Sequence, residues 1–107
     1  MDNCIFCKIV RGEIPAEKIY EDDHTVAFLD INPASKRHTL VIPKKHYINM
    51  FDIPADELAY VMFAVKQVIA MYEHEYGMKH VNIQNNNGTL AGQDVFHLHI
   101  HVVPKWE

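Results

Sequence analysis

The stretch His97-Leu98-His99-Ile100-His101-Val102-Val103 places a histidine at every second position of an otherwise aliphatic run. Side chains alternate faces along a β-strand with a period of two. A strand over Phe96 to Val103 therefore turns His97, His99 and His101 to one face and Leu98, Ile100 and Val102 to the other, toward a core. Successive imidazoles then stand ~7 Å apart. Imidazole acts as nucleophile, acid, base or metal ligand near neutrality. A lone histidine reads as an ordinary polar surface residue, whereas three in strict alternation point to chemistry. A single ion cannot collect all three, because a strand holds the outer pair ~13–14 Å apart and zinc holds its ligands at ~2 Å. The row is expected to divide its labour.

Pro104 stops this last strand. His80 to Asn85 reads as the strand before it, and Asn85 to Gly92 as a loop carrying two glycines. The clearest helix runs from Pro54 to Gly77. Pro54 suits the first turn, Asp56 and Glu57 complement the helix dipole, and Gly77 closes the helix. Leu58, Val61, Met62, Val65, Val68, Ile69 and Tyr72 recur at helical spacing. The reverse face carries Tyr60, Phe63, Ala70 and Met71, so it is expected to be covered by loops or by a second subunit. Toward the N-terminus, Cys4 to Arg11 reads as a short helix ended at Gly12. Lys18 to Glu21 and Thr25 to Asp30 read as strands around a polar turn, with Val26, Phe28 and Tyr20 facing inward. Ile31 to Arg37 is a loop, and His38 to Pro43 a third strand. The sum is one α+β domain over residues 1–107: an antiparallel sheet of about five strands, one long helix and a short N-terminal helix.

The 107 residues suffice for a core without disulfides or metals as a precondition. Hydrophobic residues at 49% and charged residues at 22% are ordinary for a globular protein. A formal charge of −4 argues against duplex nucleic acid or an anionic membrane as partner. A small phosphate ligand is compatible with it, since a few N–H groups and imidazoles can hold one. No basic start followed by an apolar run opens the sequence, so a cytoplasmic location is the expectation.

The only cysteines, Cys4 and Cys7, are spaced as Cys-x-x-Cys. A redox reading lacks its usual strand–helix–strand context. The pair can be half of a Cys2His2 zinc site, with His97 and His46 as candidates for the other half, or two buried free thiols. The middle histidine, His99, is the best candidate nucleophile. With Nδ1–H held by a carbonyl, its Nε2 would offer a lone pair to phosphorus. His101, Gln93 and the backbone of the Gly92 loop are candidate donors for the phosphate oxygens, and His38 begins a neighbouring strand.

Ala91-Gly92-Gln93-x-Val95-x-His97-x-His99-x-His101-Val102-Val103 resembles the signature of the histidine triad family. Asp30-Ile31-x-Pro33, His38-x-Leu40-Val41-Ile42-Pro43-Lys44-x-His46 and the segments Cys4 to Ile9 and Glu13 to Ala16 extend the resemblance over nearly the whole chain. It is nearest to the nucleotide-binding, phosphoramidase branch. That resemblance implies a homodimeric, purine-preferring hydrolase of nucleoside 5′-phosphoramidates or related nucleotidyl bonds. His99 would be the nucleophile, His101 would orient it and meet the phosphate, and His38 would support the pair. Asn86, Gly92 and Gln93 would lie near phosphate and ribose, and Asp30 would bind the ribose hydroxyls. Ile5, Phe6, Ile9, Ile14 and Phe28 would surround the base, and Val95 would belong to the nucleotide-binding set. Cys4, Cys7, His46 and His97 would hold a structural zinc ion, closed by four protein ligands. Dinucleoside polyphosphate hydrolysis, nucleotidyl transfer, a nucleotide-binding regulator with little catalysis and a metal-catalysed reaction are the competing readings. One position departs from the branch: Asp94 stands where many members carry serine. A carboxylate there repels phosphate unless it is protonated, turned away or met by a cationic leaving group.

Overall fold

The computed structural model describes residues 3–107; Met1 and Asp2, included in the expected domain, lie outside the described residues. The elements are α1 (Ile5–Val10), β1 (Lys18–Glu21), β2 (Thr25–Leu29), β3 (Thr39–Pro43), α2 (Ala55–Tyr76), β4 (Val81–Gln84) and β5 (Ile100–Pro104), with a single 3-10 turn at Thr89–Ala91. The five strands form one antiparallel sheet in the order β1-β2-β3-β5-β4. The expected α+β architecture is therefore present, including the short and the long helix.

Strand periodicity sorts the apolar residues into two cores. Ala27, Val41, Ile100 and Val102 face α2 and pack with Val61, Ala64, Val65, Val68 and Tyr72. Val26, Phe28, Leu40 and Ile42 face α1 and pack with Phe6 and Ile9. Both faces of the central strands are thus covered, which accounts for their nearly continuous apolar sequence. The cross-strand register pairs Phe28 with Leu40 and Leu40 with His101. Directly paired residues share a face, so His101 belongs to the α1 side of the sheet.

Helix α2 begins after Pro54, whose φ of −65° suits the N-cap, and ends at Gly77 in the left-handed region at φ 66°. Its exposed side carries Tyr60, Met62 and Phe63. Met62, counted on the inward stripe from sequence, belongs to this outer group, because Val61, Ala64 and Val65 fill the side toward the sheet. No helix among the described residues is long and apolar enough to cross a membrane.

The deciding stretch needs one correction. The fifth strand begins at Ile100 instead of Phe96, so only His101 of the three histidines lies in the ladder. Pro43 explains the early end. It lacks an N–H to donate, and its carbonyl accepts from His97 Nε2 at 2.8 Å. Leu98 N–H instead donates to the Tyr47 carbonyl at 2.7 Å. The alternation of faces survives without the ladder, since Leu98 is fully buried in the α2-side core with Ile100 and Val102.

Candidate active site

The three histidines separate into different surroundings. His97 is fully buried. Its Nε2–H is committed to Pro43, which leaves the Nδ1 lone pair facing Cys4 Sγ at 3.3 Å and Cys7 Sγ at 3.4 Å. His46 Nδ1 lies 3.2 Å from Cys7 Sγ. Ligand atoms of Cys4, Cys7, His46 and His97 all fall within 4.8 Å of one another. A tetrahedral zinc ion with Zn–S ~2.3 Å and Zn–N ~2.0–2.1 Å requires S···N separations of about 3.6 Å. The donor set and its spacing therefore fit such an ion. Helix α1 supplies Cys7, and its N-cap is Cys4, whose Sγ accepts from Cys7 N–H at 3.3 Å. Burial pushes the Cys7 thiol up to about 11, with the neighbouring Cys4 adding to it. Burial likewise pulls His97 down to about 4, partly opposed by its bond to Pro43. Without a cation Cys7 rests as a thiol and His97 as a neutral imidazole; a divalent ion would displace the thiol proton.

His99 is nearly buried, and its Nδ1–H donates to the His97 carbonyl at 2.8 Å. That bond fixes the tautomer with the Nε2 lone pair free. Phe6 sets its ring edge-on against the imidazole, with centroids 5.2 Å apart. His99 and His101 together border a cavity of about 250 Å³. Its walls include Ile5, Phe6, Ile9, Ile14, Phe28, Asp30 and Val95. Pro15, Ala16, Leu29, Ile31, Asn32, Leu40 and Asp94 also line it. This is a small, mostly apolar slot with few polar groups, the usual make-up of a small-molecule site.

A chain of hydrogen bonds sets the protonation of His101. Ala34 N–H donates to His38 Nδ1 at 2.9 Å, so neutral His38 carries its proton on Nε2. His38 Nε2 lies 3.0 Å from His101 Nδ1 and donates to it. Neutral His101 then carries its own proton on Nε2, as a donor beside the His99 lone pair. Asp30 Oδ2 stands 3.6 Å from His38 Nε2, and Asp30 Oδ1 accepts from Asn32 N–H at 2.9 Å. Burial lowers the pKa of both His38 and His101; Asp30 opposes this in each. Asp30, His38 and His101 are also mutually within 4.8 Å. Both ring nitrogens of His38 are already engaged, so this trio is a proton-bonded chain and not an open ligand set.

Three expected phosphate-side residues do not border the cavity. Gln93 is buried and spends its whole amide on protein. Its Oε1 accepts from Asn49 Nδ2 at 3.0 Å and Gly88 N–H at 2.8 Å, while its Nε2 donates to the Ile48 and Val95 carbonyls at 2.7 and 3.0 Å. Gly92 sits in the left-handed region at φ 92°, and a Cβ there would lie 3.7 Å from Asn86 Nδ2. Asn86 itself is exposed. These residues shape the loop that leads to Asp94 and Val95. Sequence reasoning missed Leu40 as a cavity residue, although its strand face is shared with Phe28. It also missed Asn49 as a partner of Gln93, for which no local sequence signal exists. Asp94 lies at the cavity rim, its Oδ1 4.0 Å from His99 Nε2.

A five-stranded antiparallel sheet carrying a histidine row at the end of an apolar slot defines the class of protein. The HIT domain model matches residues 11–107, and the chain belongs to that family. It is 52% identical over 104 residues to an uncharacterized HIT-like protein of Methanocaldococcus jannaschii, covering 97% of this chain and 80% of that one. It is 44% identical over 103 residues to the adenosine 5′-monophosphoramidase of Schizosaccharomyces pombe, covering 96% and 74%. The crystal structure of a HIT family protein from Bacillus anthracis superposes with a TM-score of 0.94 at 43% identity, covering 99% of this chain and 75% of that one.

Proposed function

We propose that this protein hydrolyses nucleoside 5′-phosphoramidates, or closely related nucleotidyl bonds, through a nucleotidyl-His99 intermediate. The observation that carries the reading is a His99 Nε2 lone pair and a His101 Nε2–H on neighbouring rings that both line one apolar slot. The apolar walls suit a purine base, and Asp30 suits ribose hydroxyls. His99 Nε2 attacks phosphorus as the bond to the leaving nitrogen breaks, and that nitrogen takes a proton from solvent water. His101 Nε2–H donates to a phosphate oxygen as charge develops there. Water then adds to phosphorus, Nε2 departs with its electron pair, and the water's proton returns to solvent. His38 and Ala34 keep His101 in the donating tautomer. The similarity to a monophosphoramidase supports the leaving-group class.

The reading assigns zinc to Cys4, Cys7, His46 and His97 in a structural role, because four protein ligands leave no open position for water. It sets the protein in a reducing cytoplasm, where free thiols persist. It pairs two copies through the apolar outer side of α2, where Tyr60, Met62 and Phe63 are exposed. Rapid acid quench followed by intact-protein mass spectrometry tests the chemistry. The expected result is a nucleotidyl mass adduct that maps to His99 and is absent in His99→Ala. Stoichiometric nucleotide binding with no adduct at any quench time would instead favour a regulatory binding protein.

A further inference from the structure

We propose that Asp94 selects the leaving group, admitting amines that carry a second, positive charge into a cavity beside the catalytic slot. The inference rests on the phosphoramidase reading above and adds the chemistry of the departing half of the substrate. A second, more open cavity of about 440 Å³ adjoins the slot. The two share Ile5, Val95 and Asp94, so Asp94 stands on the boundary between them. His99 borders the first cavity and is absent from the lining of the second. In an in-line displacement the leaving atom lies opposite the attacking one. A nucleoside seated in the slot, with phosphorus over His99 Nε2, therefore sends its leaving group away from His99 and past Asp94 into the second cavity.

Asp94 is the charged side chain that the two cavities share. The Asp94 side chain is 85% exposed, and its Oδ1 is 4.0 Å from His99 Nε2. Neither cavity has a lysine or arginine among its described lining residues. Cys4 and His46, two of the four zinc ligands in the reading above, also line the second cavity, and a divalent ion held by two thiolates and two neutral imidazoles adds no net charge there. A bound nucleotidyl phosphate thus meets a carboxylate with no fixed protein cation to offset the repulsion. A substrate whose amine bears an ammonium group supplies that cation itself. Ile5, Ile48 and Phe96 in the second cavity give an alkyl stem an apolar surface, with Asp94 as the charged contact. Once the P–N bond has broken, the nucleotidyl group and later the nucleotide face Asp94 alone, so the same carboxylate weakens product binding.

The test uses adenosine 5′-phosphoramidates of three alkylamines of equal length, ending in an ammonium, a methyl or a carboxylate group. They are compared on the wild type, Asp94→Asn and Asp94→Ser. The wild type is expected to favour the ammonium over the carboxylate substrate in kcat/KM by on the order of tenfold, screened attraction to the one and repulsion of the other each contributing about threefold at a largely exposed carboxylate. Both variants should bring that ratio close to one, and 0.5 M salt should compress it in the wild type. AMP should bind more tightly to Asp94→Asn than to the wild type. Turnover of all three substrates with the same ratio in wild type and variants overturns the role of Asp94 and leaves the phosphoramidase reading standing. No turnover of any of the three by the wild type overturns both.

Discussion

Replacing Gln93 by alanine separates two roles for a residue whose sequence position suggests a phosphate contact. In the structure its amide joins three loops: Ile48 and Asn49 from one, Gly88 from a second, and Val95 just before the histidine row. Truncation removes four hydrogen bonds and strands two backbone carbonyls, one backbone N–H and the Asn49 amide. A neutral hydrogen bond contributes about 1 kcal/mol net, and unsatisfied buried partners cost more. Several of these partners are only half-buried, so water entering the gap returns part of the loss. The expected destabilisation is about 3 kcal/mol. For a domain of ~100 residues that corresponds to a fall in Tm of at least about 12 °C. Urea denaturation monitored by Trp106 fluorescence measures it. Activity should fall as well, because Val95 and Asp94 lose their anchor. A Gln93→Ala protein that keeps wild-type stability while losing nucleotide affinity would refute the strut and restore the direct phosphate contact.

Stability should decline on acidification through the histidine range. Burial keeps His38 and His101 below their ordinary pKa in the folded state, so between the folded and unfolded values only the unfolded chain takes up their protons. Stability is therefore full above pH ~6.5, declines as pH drops below it, and levels off under the folded values. Denaturation midpoints from pH 7.5 to 5.0 should show this slope, and His38→Gln should flatten it. Chelation by EDTA is expected to lower Tm, with activity lost only in step with unfolding, and elemental analysis of the untreated protein should give one zinc per chain. Loss of turnover at unchanged Tm would count against a structural ion. Tyr72→Phe should cost about 1–1.5 kcal/mol. The buried Tyr72 hydroxyl donates at 2.6 Å to Thr39 Oγ1, whose own proton goes to the Arg37 carbonyl at 2.8 Å. Thermal melts would detect the change, and an unaltered Tm would contradict that assignment.

The sequence by itself determined the sorting of faces and the ingredients of the site. Hydrophobic alternation is a local property, and it correctly sent Leu98, Ile100 and Val102 into the core and the intervening histidines away from it. Pro54 and Gly77 likewise marked the ends of α2 through their own backbone preferences. Tertiary structure alone decided which partner each imidazole meets. Pro43, missing an N–H, ends the pairing at Ile100, and its carbonyl turns His97 toward two cysteines more than 85 residues away. The register of Leu40 with His101 brings His38 within hydrogen-bond reach and so fixes a tautomer that no sequence window contains. Gln93 shows the same limit: its donors and acceptors are satisfied by chain segments whose proximity depends on the closed fold, a pairing that no local sequence signal reports. Periodicity and backbone preference act within a few residues, whereas hydrogen-bond satisfaction in a packed interior depends on groups that only folding brings together.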